Sequence, residues 1–177
     1  MIAALLTPYV LAFPVSRPVA QEPAGPLSAA ERELVEALAA QGVRLDPRAG
    51  TLALAVDVAV RDDLLEYLLV GPAGATHESL FVTDAVPSLI NVGLLALGVA
   101  SGTNASWRPV DPPPSDDDLR AGVSPYTVTL PQGDGLFLYV GWVQVEDGRE
   151  QRYFYRVEDV LRNLMTGHAM RRHGWVY

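Results

Sequence analysis

The chain has 177 residues, 49% of them hydrophobic, and a net charge of −8, which suits one acidic domain with a sizeable core. It contains no Cys, so disulfides, thiolate zinc sites and Cys-ligated iron–sulfur clusters are excluded. Its 13 basic residues are all Arg, and the acidic balance argues against nucleic-acid binding, which requires a basic face.

Residues 1–20 resemble an export signal or an N-terminal anchor. The first fifteen are apolar apart from Thr7, and small residues lead up to a cleavage position after Ala20. No basic residue precedes the apolar run, so a plain apolar tail is the alternative interpretation. We therefore expect an exported protein, periplasmic or associated with the cell envelope, that contacts the membrane only through this segment. Residues 21–27 are expected to form a linker, and residues 28–177 a single domain.

The domain begins with a strong helix signal. Ser28 and Glu31 have the spacing of a capping box, and Gly42 stands where the helix is expected to stop after Ala40. Large apolar residues then alternate with small ones over residues 51–60, which predicts a strand with one buried face. Two short apolar runs follow, residues 64–70 and 79–83, separated by a Gly/Pro turn. We expect them to pair as a hairpin, and the first of them to form a meander with the preceding strand.

The segment from Pro87 to Leu97 predicts a helix that is apolar on all sides. It is too short to span a bilayer, which needs roughly 20 residues, so we expect it to be buried in the core. Gly93 is expected to mark a close backbone contact, Asp84 to cap the helix, and Leu95 to be a core residue.

The C-terminal half predicts mainly strands. Asp147-Gly148 is the best hairpin turn, and a short helix is expected over residues 158–164. Ser115, at the end of a proline run, is expected to cap a short acidic helix. The remaining runs predict strands at residues 107–110, 126–130, 136–145, 150–157 and 175–177. The fold class is therefore α+β, a mainly antiparallel sheet of six or seven strands with one buried helix and a few short peripheral helices.

Polar residues between the apolar runs mark the candidate site. Neighbours on a strand point to opposite faces, so Glu78 is not expected to orient His77, and Ser79 lacks the flanking glycines of a hydrolase nucleophile. Glu78 is expected to be buried and paired with Arg156 or Arg162. His168 and His173 could join His77 at a zinc ion, but they flank an Arg pair that would repel a cation. The aromatic residues around Trp142 are expected to serve core packing more than a ligand groove.

A family resemblance centres on the same stretch. The string EYLLVGPAGATHESLFVTDAVPSLINVGLLALG resembles the signature of YdjY-domain proteins, which are bacterial and largely uncharacterised. The likeness is specific here and looser over residues 42–177. Asn91 stands where the family often has His, which weakens a metal or acid–base role. A ferredoxin-like label, attached to some members, does not transfer because it requires Cys ligands.

These observations lead to three functional hypotheses. The first is an exported, non-enzymatic domain that binds a small ligand or another envelope protein, or serves a structural role. The second is an exported hydrolase or metal-dependent enzyme with its site around His77, Glu78 and Asp84. The third, implied by the resemblance, is an accessory partner of a membrane redox system. The binding residues we predict are His77, Glu78, Ser79, Asp84 and Asn91, with no catalytic residue, metal or cofactor assigned.

Overall fold

The computed structural model describes residues 26–177 and, for the backbone alone, the strand Tyr9–Pro14. Three α-helices are described: α1 (Ala29–Ala39), α2 (Pro87–Ala96) and α3 (Asp116–Arg120). The strands in chain order are β1 (Tyr9–Pro14), β2 (Val43–Asp46), β3 (Thr51–Ala55), β4 (Asp57–Val58), β5 (Tyr67–Val70), β6 (Ser79–Val82), β7 (Ser106–Pro109), β8 (Tyr126–Thr129), β9 (Gly135–Glu146), β10 (Arg149–Arg156) and β11 (Trp175–Val176).

The largest sheet has six strands in the order β10–β9–β1–β3–β2, with β11 beside the start of β9. Every pairing in it is antiparallel. The β9–β10 hairpin turns at Asp147-Gly148, where both residues have positive φ (50° and 75°), as a two-residue type I′ turn requires. The predicted hairpin turn is confirmed, and so is the α+β class.

A second, three-stranded sheet has the order β4–β6–β5. β4 continues directly from β3 and pairs antiparallel with β6, so the segment from Thr51 to Val58 belongs to both sheets. β5 pairs with β6 in parallel, with Leu69 opposite Phe81. The predicted hairpin and meander are therefore wrong. The connection between β5 and β6 contains a short 3-10 helix, Thr76–Glu78. After this connection, β6 runs in the same direction as β5.

The helix caps predicted at Ser28 and Ser115 are confirmed. The Ser28 Oγ accepts a hydrogen bond from the Glu31 amide at 3.2 Å, and the Glu31 carboxylate accepts one from the Ser28 amide at 2.7 Å. Ser115 and Asp118 form the same reciprocal pair at the start of α3. The strands before and after α3, β7 and β8, form a separate two-stranded sheet whose residues are all exposed. The short helix expected over residues 158–164 is only a 3-10 turn, Val157–Val160.

α2 lies on the surface of the core and is not enclosed by it. Gly93 and Leu94 are its buried residues, whereas Leu95 is 51% exposed. The prediction of a helix buried on all sides is wrong, because the sheet covers only one of its faces. A Cβ at Gly93 would lie 2.3 Å from the Leu52 side chain, so the expected close contact is confirmed.

The buried core joins side chains from both larger sheets and from α1 and α2. Its members include Leu38, Val43, Leu52, Leu54, Val56, Phe81, Leu94, Leu136, Val140 and Val157. Among the described residues, no helix is long and apolar enough to cross a membrane.

Candidate functional site

The His77–Glu78–Ser79 step lies at the junction between the 3-10 helix and β6. Because His77 and Glu78 belong to the helical turn, they do not alternate as strand neighbours would. The His77 Nε2 lies 3.9 Å from the Glu78 Oε1, and the His77 side chain is 81% exposed. Glu78 is half-buried, and among the described residues neither Arg156 nor Arg162 pairs with it. The prediction of a buried, Arg-paired Glu78 is wrong. The strand geometry assumed for His77 and Glu78 is also wrong, but their 3.9 Å separation is too long for a hydrogen bond that would orient the His77 ring.

Ser79 and Thr83 satisfy backbone groups and are closed to solvent. The Ser79 Oγ is fully buried and donates to the Ala75 carbonyl at 2.6 Å. The Thr83 Oγ1 donates to the Ala55 carbonyl at 2.8 Å and accepts from the Ala85 amide. These hydroxyls hold the two ends of β6 to neighbouring chain segments, so Ser79 is not presented to a substrate as a nucleophile.

Asp84 and Asn91 lie at separate exposed positions. α2 begins after Val86 with no side-chain cap, so the prediction that Asp84 caps it is wrong. The side-chain Oδ1 of Asn91 accepts a hydrogen bond from the Tyr177 hydroxyl, which ties Tyr177 to α2. Within the described residues, no three His, Asp or Glu side chains gather closely enough to hold a metal ion.

The buried carboxylate of the domain is Glu158, at the 3-10 turn after β10. Its side chain is fully buried and accepts from Arg156 Nη2 at 2.6 Å, from Arg156 Nε at 3.1 Å and from the His173 amide at 3.2 Å. Burial raises the pKa of Glu158, but these hydrogen bonds outweigh it and lower the pKa to about 2. Arg156 also lies over the Phe137 ring at 4.5 Å. The expected Arg partner is therefore present, but it serves a different Glu.

A cavity of about 500 Å³ opens between the second sheet and β9. Phe81 and Val140, both buried, form its apolar floor, and Trp142 contributes an aromatic wall. Polar groups are few. The residues that line it are Asp57, Val58, Arg61, Leu80, Phe81, Val140, Trp142, Gln144 and Val160. An apolar concavity of this size with a few polar groups is the usual form of a small-molecule site.

The position of Trp142 is fixed by its neighbours on β10. Its ring stacks on Tyr153 at 5.1 Å and on Tyr155 at 5.6 Å between centroids. Tyr153 lies directly across the ladder from Trp142 and donates its hydroxyl to the Glu146 carboxylate at 2.6 Å. Trp142 therefore does both of the things considered for the aromatic residues: it packs against Tyr153 and Tyr155, and it lines the cavity.

None of the five predicted binding residues lines this cavity. One wall of the cavity could have been predicted from the sequence, because Val140, Trp142 and Gln144 alternate along β9 and so share one face of the strand. The other wall comes from β4 and β6, which are joined by a long-range antiparallel pairing that no local pattern encodes.

Comparisons with protein-family models, with curated proteins and with solved structures give no match to this chain. The YdjY-domain resemblance stays a prediction.

Proposed function

We propose that the chain is an exported, non-enzymatic domain that binds a small amphipathic molecule in the cavity between β4, β6 and β9. The observation that carries the proposal is the cavity itself, with a buried apolar floor and polar groups at Asp57, Arg61 and Gln144. An apolar part of the ligand would contact Phe81, Val140 and Trp142. A polar or charged end would reach the Arg61 guanidinium or the Asp57 carboxylate.

Two features support a binding role over a catalytic one. The Ser79 hydroxyl is buried against a backbone carbonyl, and His77 lies in solvent next to Glu78. These residues do not form a nucleophile with an adjacent, oriented base, which covalent hydrolysis requires. Export is supported by the apolar composition of residues 1–15 and the small residues that follow.

Binding can be tested on the full chain with anilinonaphthalene sulfonate, a probe that has an apolar aromatic body and one anionic group. We expect saturable binding that Trp142→Ala weakens by roughly tenfold, because a buried aromatic contact contributes about 1–2 kcal/mol. Trp107→Ala is the matched control, since Trp107 is 62% exposed on β7 and does not line the cavity.

Arg61→Gln tests the polar end of the site. We expect it to weaken binding of the anionic probe while leaving an uncharged analogue of the same ring system unaffected. Equal affinities for the parent, Trp142→Ala and Trp107→Ala proteins would contradict the proposal, because the probe would then bind elsewhere.

A further inference from the structure

The two-stranded sheet of β7 and β8 separates its apolar and polar residues onto opposite faces. Side chains alternate along each strand, and the register places Trp107 opposite Val128 and Pro109 opposite Tyr126. These four residues therefore share one face, here called the ribbon face, which carries no charged group. The opposite face carries Ser106, Arg108, Thr127 and Thr129.

The ribbon face is open to solvent. Trp107 is 62% exposed, Tyr126 is 49% exposed and Val128 is 47% exposed. Leu130, two residues beyond Val128, is 73% exposed. Large side chains exposed to this extent present on the order of 100 Å² each, so the apolar patch covers about 500 Å². A contiguous apolar patch of this size on a folded domain marks an interaction site, and a two-stranded sheet without support is only marginally stable.

The outer edges of the two strands are poorly suited to an added strand. The Val110 amide donates to the Pro125 carbonyl, so the next residue, Tyr126, directs its backbone groups away from β7. The Ser124 hydroxyl already accepts from the Tyr126 amide at 3.1 Å and donates to the Tyr126 carbonyl at 2.9 Å. On β7, Pro109 lacks an amide hydrogen. A partner is therefore expected to cover the ribbon face and not to extend the sheet.

We propose that the ribbon face is a dimerisation surface, against which the same face of a second copy of this chain packs about a two-fold axis. An interface rich in aromatic residues and without charge has the composition of a homodimer interface. A partner recognised through charge needs charged groups to contact, and the ribbon face has none. An anionic lipid surface is disfavoured in addition by α3, which connects the two strands and begins with three consecutive Asp residues.

The size of the ribbon face sets the expected strength of the dimer. Two copies packed face to face would bury about 1,000 Å² in total, which is at the lower end for a specific interface. We therefore expect a reversible dimer with a dissociation constant on the order of 10–100 µM. No residue of the ribbon face lines the cavity, so dimerisation and the proposed ligand binding are independent of each other.

Sedimentation equilibrium of the full chain, at loading concentrations from about 1 to 500 µM, measures this association. Val128→Lys should weaken it by roughly a hundredfold or more, because each copy would bring a charge into the interface. Thr129→Lys is the matched control. It adds the same charge on the opposite face of β8, so its dissociation constant should stay close to that of the parent.

A second variant and a change of salt test the apolar character of the contact. Trp107→Ala adds no charge and should weaken the dimer by roughly tenfold or more. Added sodium chloride should strengthen the dimer, because it screens the repulsion between two chains that each have a net charge of −8. Circular dichroism and denaturation midpoints establish that each variant is folded.

Three results would overturn the proposal. The first is a chain that remains monomeric at the highest concentration; acrylamide quenching of the parent and of Trp107→Phe would then show whether another segment of the same chain covers Trp107. The second is equal dimerisation of the Val128→Lys and Thr129→Lys proteins, which would place the interface elsewhere. The third is a dimer that Val128→Lys abolishes but Trp107→Ala leaves unchanged, since the loss would then come from a disturbed strand.

Discussion

Glu158 is the residue whose environment differs most from what its neighbours in sequence suggest. It follows an aromatic strand and precedes Asp159. The Glu158 carboxylate is fully buried, whereas the Asp159 side chain is 23% exposed and has Arg172 at 2.8 Å. The sequence indicated that a buried carboxylate would pair with an Arg near the end of β10. It did not indicate which carboxylate, because burial depends on where the C-terminal segment around His173 folds back over the turn.

The two adjacent carboxylates provide a matched test of burial. Glu158→Gln should lower the free energy of unfolding by roughly 3–5 kcal/mol, because it leaves the Arg156 charge enclosed without a counter-charge. Asp159→Asn should cost less than about 1 kcal/mol, since its Arg172 partner is 65% exposed. Chemical denaturation of both variants measures the difference. Similar costs would show that the Arg156 pair is no more important to stability than a surface pair.

The stability of a Glu78→Ala variant should be measured beside that of Glu158→Gln, because the sequence predicted that Glu78 was the buried carboxylate. The structure leaves it half-buried beside an exposed His, so we expect a change within about 1 kcal/mol. A loss as large as that of Glu158→Gln would mean that Glu78 has a stabilising partner in solution.

Acid should remove the contribution of Glu158. Its pKa falls from an unfolded value of 4.5 to about 2 in the folded chain, so its carboxylate stabilises the fold fully above about pH 4.5. That stabilisation is lost as the pH falls toward 2. Denaturation midpoints measured from pH 6 to pH 2 should therefore converge for the parent and Glu158→Gln proteins. A constant difference across this range would contradict the assignment.

At the scale of elements, two helix caps and one hairpin turn were predictable from the sequence, whereas the Asp84 cap and the faces of elements were not. The capping boxes at Ser28 and Ser115 and the Asp147-Gly148 turn depend on residues within a few positions of each other, so local sequence specifies them. The burial of α2 depends on what covers it. The helix is apolar on every side, and the side that faces the core is the one that carries Gly93 and Leu94.

Adjacent leucines on α2 test this orientation. Leu94 is 6% exposed and Leu95 is 51% exposed, although they have the same chemistry and differ by one position. Leu94→Ala should cost roughly 2–5 kcal/mol because it opens a cavity against the core, whereas Leu95→Ala should cost less than about 1 kcal/mol. Thermal and chemical denaturation of the pair measure the difference. The reverse order would restore the expectation that Leu95 is a core residue.

At the scale of the whole molecule, the fold class follows from the sequence, but the arrangement of strands does not. Runs of strands with few helices indicate an α+β domain, and one stretch of hydrophobic alternation together with short apolar runs identified most strands individually. The order of the strands depends on long-range pairing: β6 lies between β4 and β5, and β1 lies between β3 and β9. The cavity is a product of that order, which explains why none of the residues predicted for a site lines it.

Deletion of residues 1–22 tests how the domain depends on β1. The sequence predicts that residues 1–20 are an export signal or anchor outside the domain, yet the structure pairs Tyr9–Pro14 on both sides. The buried core residues of the described chain run from Leu38 to Val157, so we expect the shortened protein to fold cooperatively. Its free energy of unfolding should fall by several kcal/mol, because the facing edges of β3 and β9 lose backbone hydrogen bonds worth about 1 kcal/mol each. Guanidinium denaturation measures the loss, and a peptide of residues 6–17 should restore part of it. An aggregated or unfolded product would show that β1 is obligatory, and a chain cleaved after Ala20 could then not be the functional form.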